Sequence, residues 1–178
     1  MKSLSVLAAV ALLSFAAPAL ASPRVEVVFV DRDQFTDASP RSFLVDERER
    51  DAALELLRRH LHTLGTRHLG DTDHLKVEIL DVDLAGEIEP WRSHARDLRI
   101  LRHATVPRIH LRYKLTRAGV ASSGEERLLG LTYLAQASQC RTGEPLCYER
   151  LLLDRWFASR VVGEVAQRLL AAFAIDDE

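Results

Sequence analysis

Cysteine and lysine are scarce in this sequence, and several motifs of common enzymes are missing. The chain has no G-x-S-x-G, no H-E-x-x-H and no glycine-rich phosphate loop. Those motifs mark many serine hydrolases, zinc proteases and nucleotide-binding enzymes, so their absence favours a non-catalytic protein. The formal net charge is only −2, in spite of many arginines. Such a balance gives no overall attraction for nucleic acid.

One long apolar run stands at the start of the chain, from Leu4 to Ala17. Lys2 precedes this run and the small-x-small signal Ala19-Leu20-Ala21 follows it, so residues 1–21 predict a secretory signal peptide. The run is too short to span, as a helix, a hydrocarbon core about 30 Å thick. We expect cleavage near Ala21 and a mature chain, residues 22–178, that forms a single α/β domain in the periplasm or outside the cell and does not span a membrane.

The two cysteines, Cys140 and Cys147, lie in the stretch CRTGEPLC. An even pair in an exported protein predicts a disulfide, and Gly143 and Pro145 supply the turn that closes the loop. On the chain-entropy model such a loop stabilises the fold by roughly 2–3 kcal/mol. A redox pair or half of a zinc site are the alternatives, but the C-x6-C spacing is not C-x2-C and a second pair is missing.

The hydrophobic pattern predicts an α+β fold whose elements follow in the order β-α-β-β-β-α, with a mixed four-stranded sheet. Val25–Val30 is β-branched and apolar on both faces, as in an interior strand. An amphipathic helix follows, with Asp46 as its N-cap. Leu75–Leu84 is the second strand, and a strand-helix-strand order favours a parallel pair. The apolar stripe of the helix consists of Leu54, Leu57, Leu61 and Leu64.

The stretch PRIHLRYKL alternates more cleanly than any other. One side of this strand is apolar and the other is polar, which predicts a sheet with one buried and one wet face. Val120–Leu134 returns as the last strand, and a short extra strand is expected near Leu98–Leu101. Residues Tyr148–Ile175 carry a broad apolar stripe and predict a long helix. Both helices would cover one face of the sheet.

Three stretches resemble a known exported bacterial family. They are VEVVFVDRDQFTD, the middle segments DVDLAGEIEP and VPRIHLRYKLTRAGVASSGEERL, and LCYERLLLDRWF near the end. The family is the one designated domain of unknown function 3016. The resemblance covers nearly all of the mature chain and implies export and a one-domain α/β build. It implies no activity and no catalytic residues.

Acidic residues follow the first two predicted strands. If these strands are parallel, their carboxyl ends lie at one edge of the sheet, where ligands of open α/β sheets commonly bind. Carboxylate oxygens suit Ca²⁺, so one hypothesis is a cation site, or a hydrolase with paired carboxylates. The alternative is that these acids only solvate strand ends and cap turns. The candidate metal ligands are Asp31, Asp37, Asp81 and Asp83.

The alternating strand places basic residues on the wet face. From Arg92 to Arg117 there are eight Arg or Lys and one acid, whereas Asp73 to Trp91 holds six acids and one Lys. On adjacent strands the two sets would neutralise each other; otherwise the face would be a basic patch for phosphates or an acidic partner. Trp91, in a polar loop, is a candidate exposed anchor. The candidate binding residues are Arg108, His110, Arg112, Lys114 and Trp91.

Two functions therefore remain open. The first is a non-catalytic binding or adaptor module of the periplasm that holds an acidic envelope component or partner protein on the basic sheet face, without a cofactor. The second is a cation-dependent protein or hydrolase that uses the carboxylate cluster at the strand ends.

Overall fold

The structure is a computed structural model that describes residues 24–41, 46–91, 98–141 and 143–163. The predicted signal peptide lies outside the described residues, and so does the end of the predicted C-terminal helix, residues 164–175. No helix in the described ranges is long and apolar enough to cross a membrane.

Four strands form a mixed sheet and two short strands form a separate ribbon. The strands are β1 (Val25–Phe29), β2 (His74–Asp83), β3 (Glu87–Ile88), β4 (Arg99–Ile100), β5 (Arg108–Arg117) and β6 (Val120–Leu129). The larger sheet has the order β1-β2-β5-β6, and β3 pairs with β4. β1 is parallel to β2, whereas β2, β5 and β6 are antiparallel neighbours. The predicted fold class, α+β with a mixed four-stranded sheet, is confirmed.

Two helices follow from local signals in the sequence. Helix α1 spans Glu47–His68, and the side chain of Asp46 caps it by accepting from the backbone N–H groups of Arg48 and Glu49. Helix α2 spans Cys147–Trp156 and continues as a π-helical turn over Phe157–Val162. Short 3₁₀ turns follow β1 and β6, at Arg32–Gln34 and Tyr133–Gln139.

Both helices pack on one face of the sheet. Leu57 and Leu61 of α1 and Leu153 of α2 are fully or almost fully buried, in one cluster with inward side chains of β1, β2 and β5. Leu128 of β6 is partly buried and packs against this cluster. The ring of His60 lies 2.6 Å from Asp154 and links the two helices. Residues that alternate with the inward ones face away from the helices and are partly exposed, as His110 of β5 is, or fully exposed, as Arg112 is. Among the described residues, the helices therefore cover one face of the sheet and leave the other face uncovered.

Three local expectations need correction. β1 is an edge strand, although it is apolar on both faces; its Phe29 packs edge-on against Phe35 and under the guanidinium of Arg58. Residues Glu87–Ile88, for which no strand was predicted, form the short strand β3, because β4 pairs with them. The last strand ends at Leu129, where Gly130 donates to the carbonyl of Pro107 and then accepts from the first residue of the 3₁₀ turn.

Candidate functional site

The parallel pairing of β1 and β2 brings the segment after β1 to the end of β2. Asp37 and Asp83 form a parallel bridge. The backbone N–H of Asp37 donates to the carbonyl of Val82 at 2.9 Å, and the N–H of Leu84 donates to the carbonyl of Asp37 at 3.0 Å. The carboxyl edge of the sheet therefore collects acids from both strands, as expected for parallel neighbours.

Each of these acids has a partner within the protein. Asp81 accepts hydrogen bonds from the backbone N–H and the hydroxyl of Thr36, at 2.7 and 2.8 Å. Asp83 pairs with Arg108 at 2.6 Å, and Asp37 pairs with Arg99 at 2.6 Å. A metal ion would need these carboxylates as ligands, but guanidinium groups already lie beside Asp37 and Asp83.

Asp31 has a different setting from the other three acids. It is exposed, it has a left-handed backbone with φ 51°, and it precedes the 3₁₀ turn after β1 without capping it through its side chain. Within the described ranges, no group of three His, Cys, Asp or Glu side chains is arranged to hold a metal ion. The calcium site on Asp31, Asp37, Asp81 and Asp83 stays a prediction, and the geometry does not add to it.

Arg99 is the centre of the sheet edge. Its guanidinium donates to Asp37 and to four backbone carbonyls, at 2.6 to 3.3 Å, and its side chain is only 14% exposed. Charge-assisted bonds of this kind are stronger than neutral ones. Arg99 therefore fastens the segment after β1 to the segment after β2. The four carbonyls belong to Ser39, Leu84, Ala85 and Gly86.

Burial changes the acidity of two carboxyl groups at this edge. Burial raises the pKa of Glu149, whose side chain accepts a hydrogen bond from the backbone N–H of Ala85 at 2.7 Å. Burial also raises the pKa of Asp83, and Arg108 opposes that rise. Proximity to Asp37 and Asp81 adds to the rise for Asp83.

A cavity of about 370 Å³ opens at the same edge. We call it the edge cavity. Its volume is at the small end of the range for ligand pockets, roughly 300–1,000 Å³. Apolar side chains such as Phe35 and Ile88 form part of the wall. The charged residues of the wall are Arg50, Arg99, Arg108, Asp33, Asp37, Asp83 and Glu87.

The uncovered side of the larger sheet is the second candidate surface, and we call it the open face. Cross-strand pairing gives it five acidic and five basic side chains. The basic strand β5 lies between β2 and β6, both of which carry acids. The open face is therefore electrically balanced as a whole. Its charged members are Glu26, Lys76, Glu78, Asp81, Asp83, Arg108, Arg112, Lys114, Glu125 and Arg127.

Arg112 stands at the centre of the open face. It contacts Glu78 at 3.1 Å and Glu125 at 3.0 Å, and these two carboxylates raise its pKa. Hydrogen bonds from Arg112 and His110 lower the pKa of Glu125. His110 lies 2.9 Å from that carboxylate and points away from the aliphatic core. The cations of β5 are thus largely neutralised by their neighbours, which was one of the two alternatives.

A shallow groove of about 370 Å³ crosses the open face. It runs between the cross-strand row of Lys76, Lys114 and Ser123 and the row of Glu78, Arg112 and Glu125. We call it the face groove. Three of these six side chains are cations and two are anions, so the groove itself carries a small positive excess.

Trp91 and the disulfide belong to segments outside the four-stranded sheet. Trp91 is 70% exposed in the turn after β3, as its polar surroundings predicted. The disulfide between Cys140 and Cys147 is confirmed, with the Cα atoms 5.7 Å apart. It fixes the start of α2, since Cys147 is the first residue of that helix.

A comparison with family models gave a match over most of the chain. The family described as "Protein of unknown function (DUF3016)" matches residues 23–159. The chain belongs to this family. The DUF3016 match begins just before β1 and ends in the π-helical turn after α2, so it includes both candidate surfaces. Neither the comparison with curated proteins nor that with solved structures gave a match.

Sequence reasoning missed three charged residues of this DUF3016 domain. Arg50 and Glu149 are 5% and 2% exposed, and Arg99 is largely buried. The sequence did contain a signal for the burial of Arg50 and Glu149. Arg50 lies four residues before Leu54 and so continues the apolar stripe of α1. Glu149 likewise lies four residues before Leu153. A charged residue on the apolar stripe, at the first turn of a helix, indicates a buried ion.

Proposed function

We propose that this domain is an exported, non-catalytic binding module of the periplasm or cell exterior, and that it docks phosphate-bearing components of the envelope on its open face. The observation that carries the proposal is the uncovered face itself. Arg108 and Arg112 are held by cross-strand ion pairs, so these two side chains lose little entropy when a ligand binds.

The face groove is the proposed point of contact. An anionic group placed there meets Lys76, Arg112 and Lys114. Lys114 is exposed and has no ion pair with a described residue, so its charge is fully available. Because the open face is balanced overall, we expect attraction to be local and moderate in strength, and sensitive to salt.

The test is binding to vesicles that contain phosphatidylglycerol, with phosphatidylcholine vesicles as the neutral comparison. We expect sedimentation with the anionic vesicles at low salt and release at high salt, because each basic residue near such a surface contributes about 1 kcal/mol. Lys114→Glu should abolish sedimentation. Arg59→Glu is the matched control, since it makes the same charge change on an exposed position of α1.

Two outcomes would defeat the proposal. One is the absence of any preference for anionic vesicles in the native protein. The other is equal loss of binding in Lys114→Glu and Arg59→Glu, which would mean that net charge alone, and not the open face, governs attachment. If the protein binds an acidic protein but no lipid vesicles, the ligand of the open face is a partner protein and not a lipid head group.

The alternative function uses the strand-end carboxylates with a divalent cation. It is tested by thermal unfolding of the mature protein with and without millimolar Ca²⁺ or Mg²⁺. A stabilisation that disappears in Asp83→Ala would favour this function, because a ligand that binds only the folded state raises its stability. An unchanged unfolding temperature would leave the binding module as the better account.

A further inference from the structure

Arg50 is the charged residue of the edge cavity whose hydrogen-bonding groups are least satisfied. Its side chain is 6% exposed, and the cavity wall includes it. Its Nε atom is buried and has no hydrogen-bond partner among the described residues. A buried donor without an acceptor destabilises the fold, and an arginine has five donors to satisfy.

The one ion-pair partner of Arg50 in the described ranges is easily displaced. Asp33 lies 2.7 Å from Nη2 of Arg50, but the side chain of Asp33 is 73% exposed on the 3₁₀ turn after β1. Because water already solvates most of the Asp33 carboxylate, this carboxylate loses little when it leaves the pair, whereas the buried guanidinium of Arg50 still needs an acceptor. A second oxyanion of better geometry can therefore take its place on the guanidinium.

The other acids of the cavity do not prevent an anion from binding. Asp37 is occupied by Arg99, and Asp83 is occupied by Arg108. Glu87 is exposed on β3. Once Asp33 has moved aside, Arg50 is the one cation of the wall without an ion pair among the described residues, since Arg99 and Arg108 keep theirs. Arginine binds carboxylate and phosphate in a two-point geometry that few other side chains match.

We propose that the edge cavity is a binding site for the carboxylate or phosphate group of a small molecule, with Arg50 as its anchor and Asp33 as the carboxylate that the ligand displaces. Small size follows from the 370 Å³ volume. The apolar wall at Phe35 and Ile88 accommodates a short carbon skeleton beside the anionic group. The edge cavity shares Asp83 and Arg108 with the open face, but Arg50 and Asp33 do not belong to that face. The proposed site therefore does not depend on the function proposed for the open face.

The test uses inorganic phosphate and malonate as probes, with the mature protein and with sodium chloride to match ionic strength. Dissociation constants are measured by calorimetry for each probe. Arg50→Gln should weaken binding about tenfold or more, because a charge-assisted hydrogen-bond pair is lost. Asp33→Asn should tighten binding roughly threefold, since the competing carboxylate is removed.

Asp51→Asn is the matched control. Asp51 also pairs with an arginine, Arg32, at 2.9 Å on the outside of the molecule, but neither residue belongs to the cavity wall. We expect this variant to bind like the native protein. Binding of phosphate alone, or of malonate alone, identifies the source of the anionic group and supports the site.

Three results would overturn the proposal: no binding of either probe, native affinity in Arg50→Gln, or equal affinities in Asp33→Asn and Asp51→Asn. The last comparison decides the question even if the buried substitution at position 50 prevents folding. Lys114→Glu, which alters only the open face, should bind both probes as the native protein does.

Discussion

Replacing Arg99 by Met should cost this protein far more stability than replacing Arg108 by Met. Both arginines pair with an aspartate at 2.6 Å, but the side chain of Arg99 is 14% exposed and that of Arg108 is 50% exposed. Removal of one partner from a buried pair costs about 3–5 kcal/mol. Asp37, the partner of Arg99, is 32% exposed, so water offsets part of that loss.

We therefore expect Arg99→Met to lower the free energy of unfolding by about 2–3 kcal/mol, a value below the full cost of a buried pair because Asp37 retains contact with water. Arg108→Met should cost about 1 kcal/mol, because Arg108 is half exposed and donates to no backbone carbonyl in the described ranges, although its partner Asp83 is only 18% exposed. Urea unfolding measures both, with the fluorescence of the buried Trp156 as the signal. The midpoint should fall while the slope stays constant.

The comparison between the two variants is what tests the reasoning. Equal losses would show that the paired carboxylate, and not burial with the four backbone carbonyls, determines the stability of the sheet edge. A loss below about 1 kcal/mol in Arg99→Met would mean that the carbonyls find other donors at no cost. A double variant with Asp37→Asn would then measure how much of the effect belongs to that ion pair.

Three further predictions use the same unfolding assay. Replacing Cys140 and Cys147 by Ala should lower the unfolding free energy by roughly 2–3 kcal/mol, and an unchanged midpoint would contradict the loop-entropy estimate. Burial raises the pKa of Glu149 above its ordinary 4.5, so the folded state holds the proton longer and stability declines as pH rises from about 4.5 through the raised pKa. Glu149→Gln removes this decline, so its stability relative to the native protein should increase with pH; the opposite trend would refute the assignment. Gly65→Ala should destabilise by about 1–3 kcal/mol, in spite of better helix propensity, because the added Cβ would lie 2.1 Å from Cγ2 of Val25; a stabilised variant would show that Val25 moves freely.

Local sequence patterns predicted the elements that depend on short-range periodicity. The leucine stripe of α1, its Asp46 cap and the alternation along β5 all act within a few residues, and the structure contains each of them. The edge position of β1 was not predictable in the same way. An apolar strand is typical of a sheet interior, and the order of strands depends on pairings between distant segments.

The sequence predicted the acids of the candidate site but not the arginines that pair with them. The strand-helix-strand order of the sequence predicts that the acids Asp37, Asp81 and Asp83 lie at one edge of the sheet, and the structure places them there. Their partners could not be found from spacing, because Arg99 reaches Asp37 across 62 positions of the chain. A charge count assigned Arg99 only to a basic segment, whereas its contacts make it the centre of the sheet edge.

The pairing of β2 with β5 has a consequence for the order in which the protein folds. The β5–β6 hairpin turns at Ala118 and Gly119, and the β1–α1–β2 segment is also contiguous in the chain. These two halves meet along one seam, whose ends join residues 83 to 108 and 74 to 116. Pairing Asp83 with Arg108 closes a shorter loop than pairing His74 with Thr116, and it therefore loses less chain entropy. We expect β2 and β5 to pair first at Asp83 and Arg108, and pairing then to extend towards His74. The wall of the edge cavity would then be among the first long-range contacts to form.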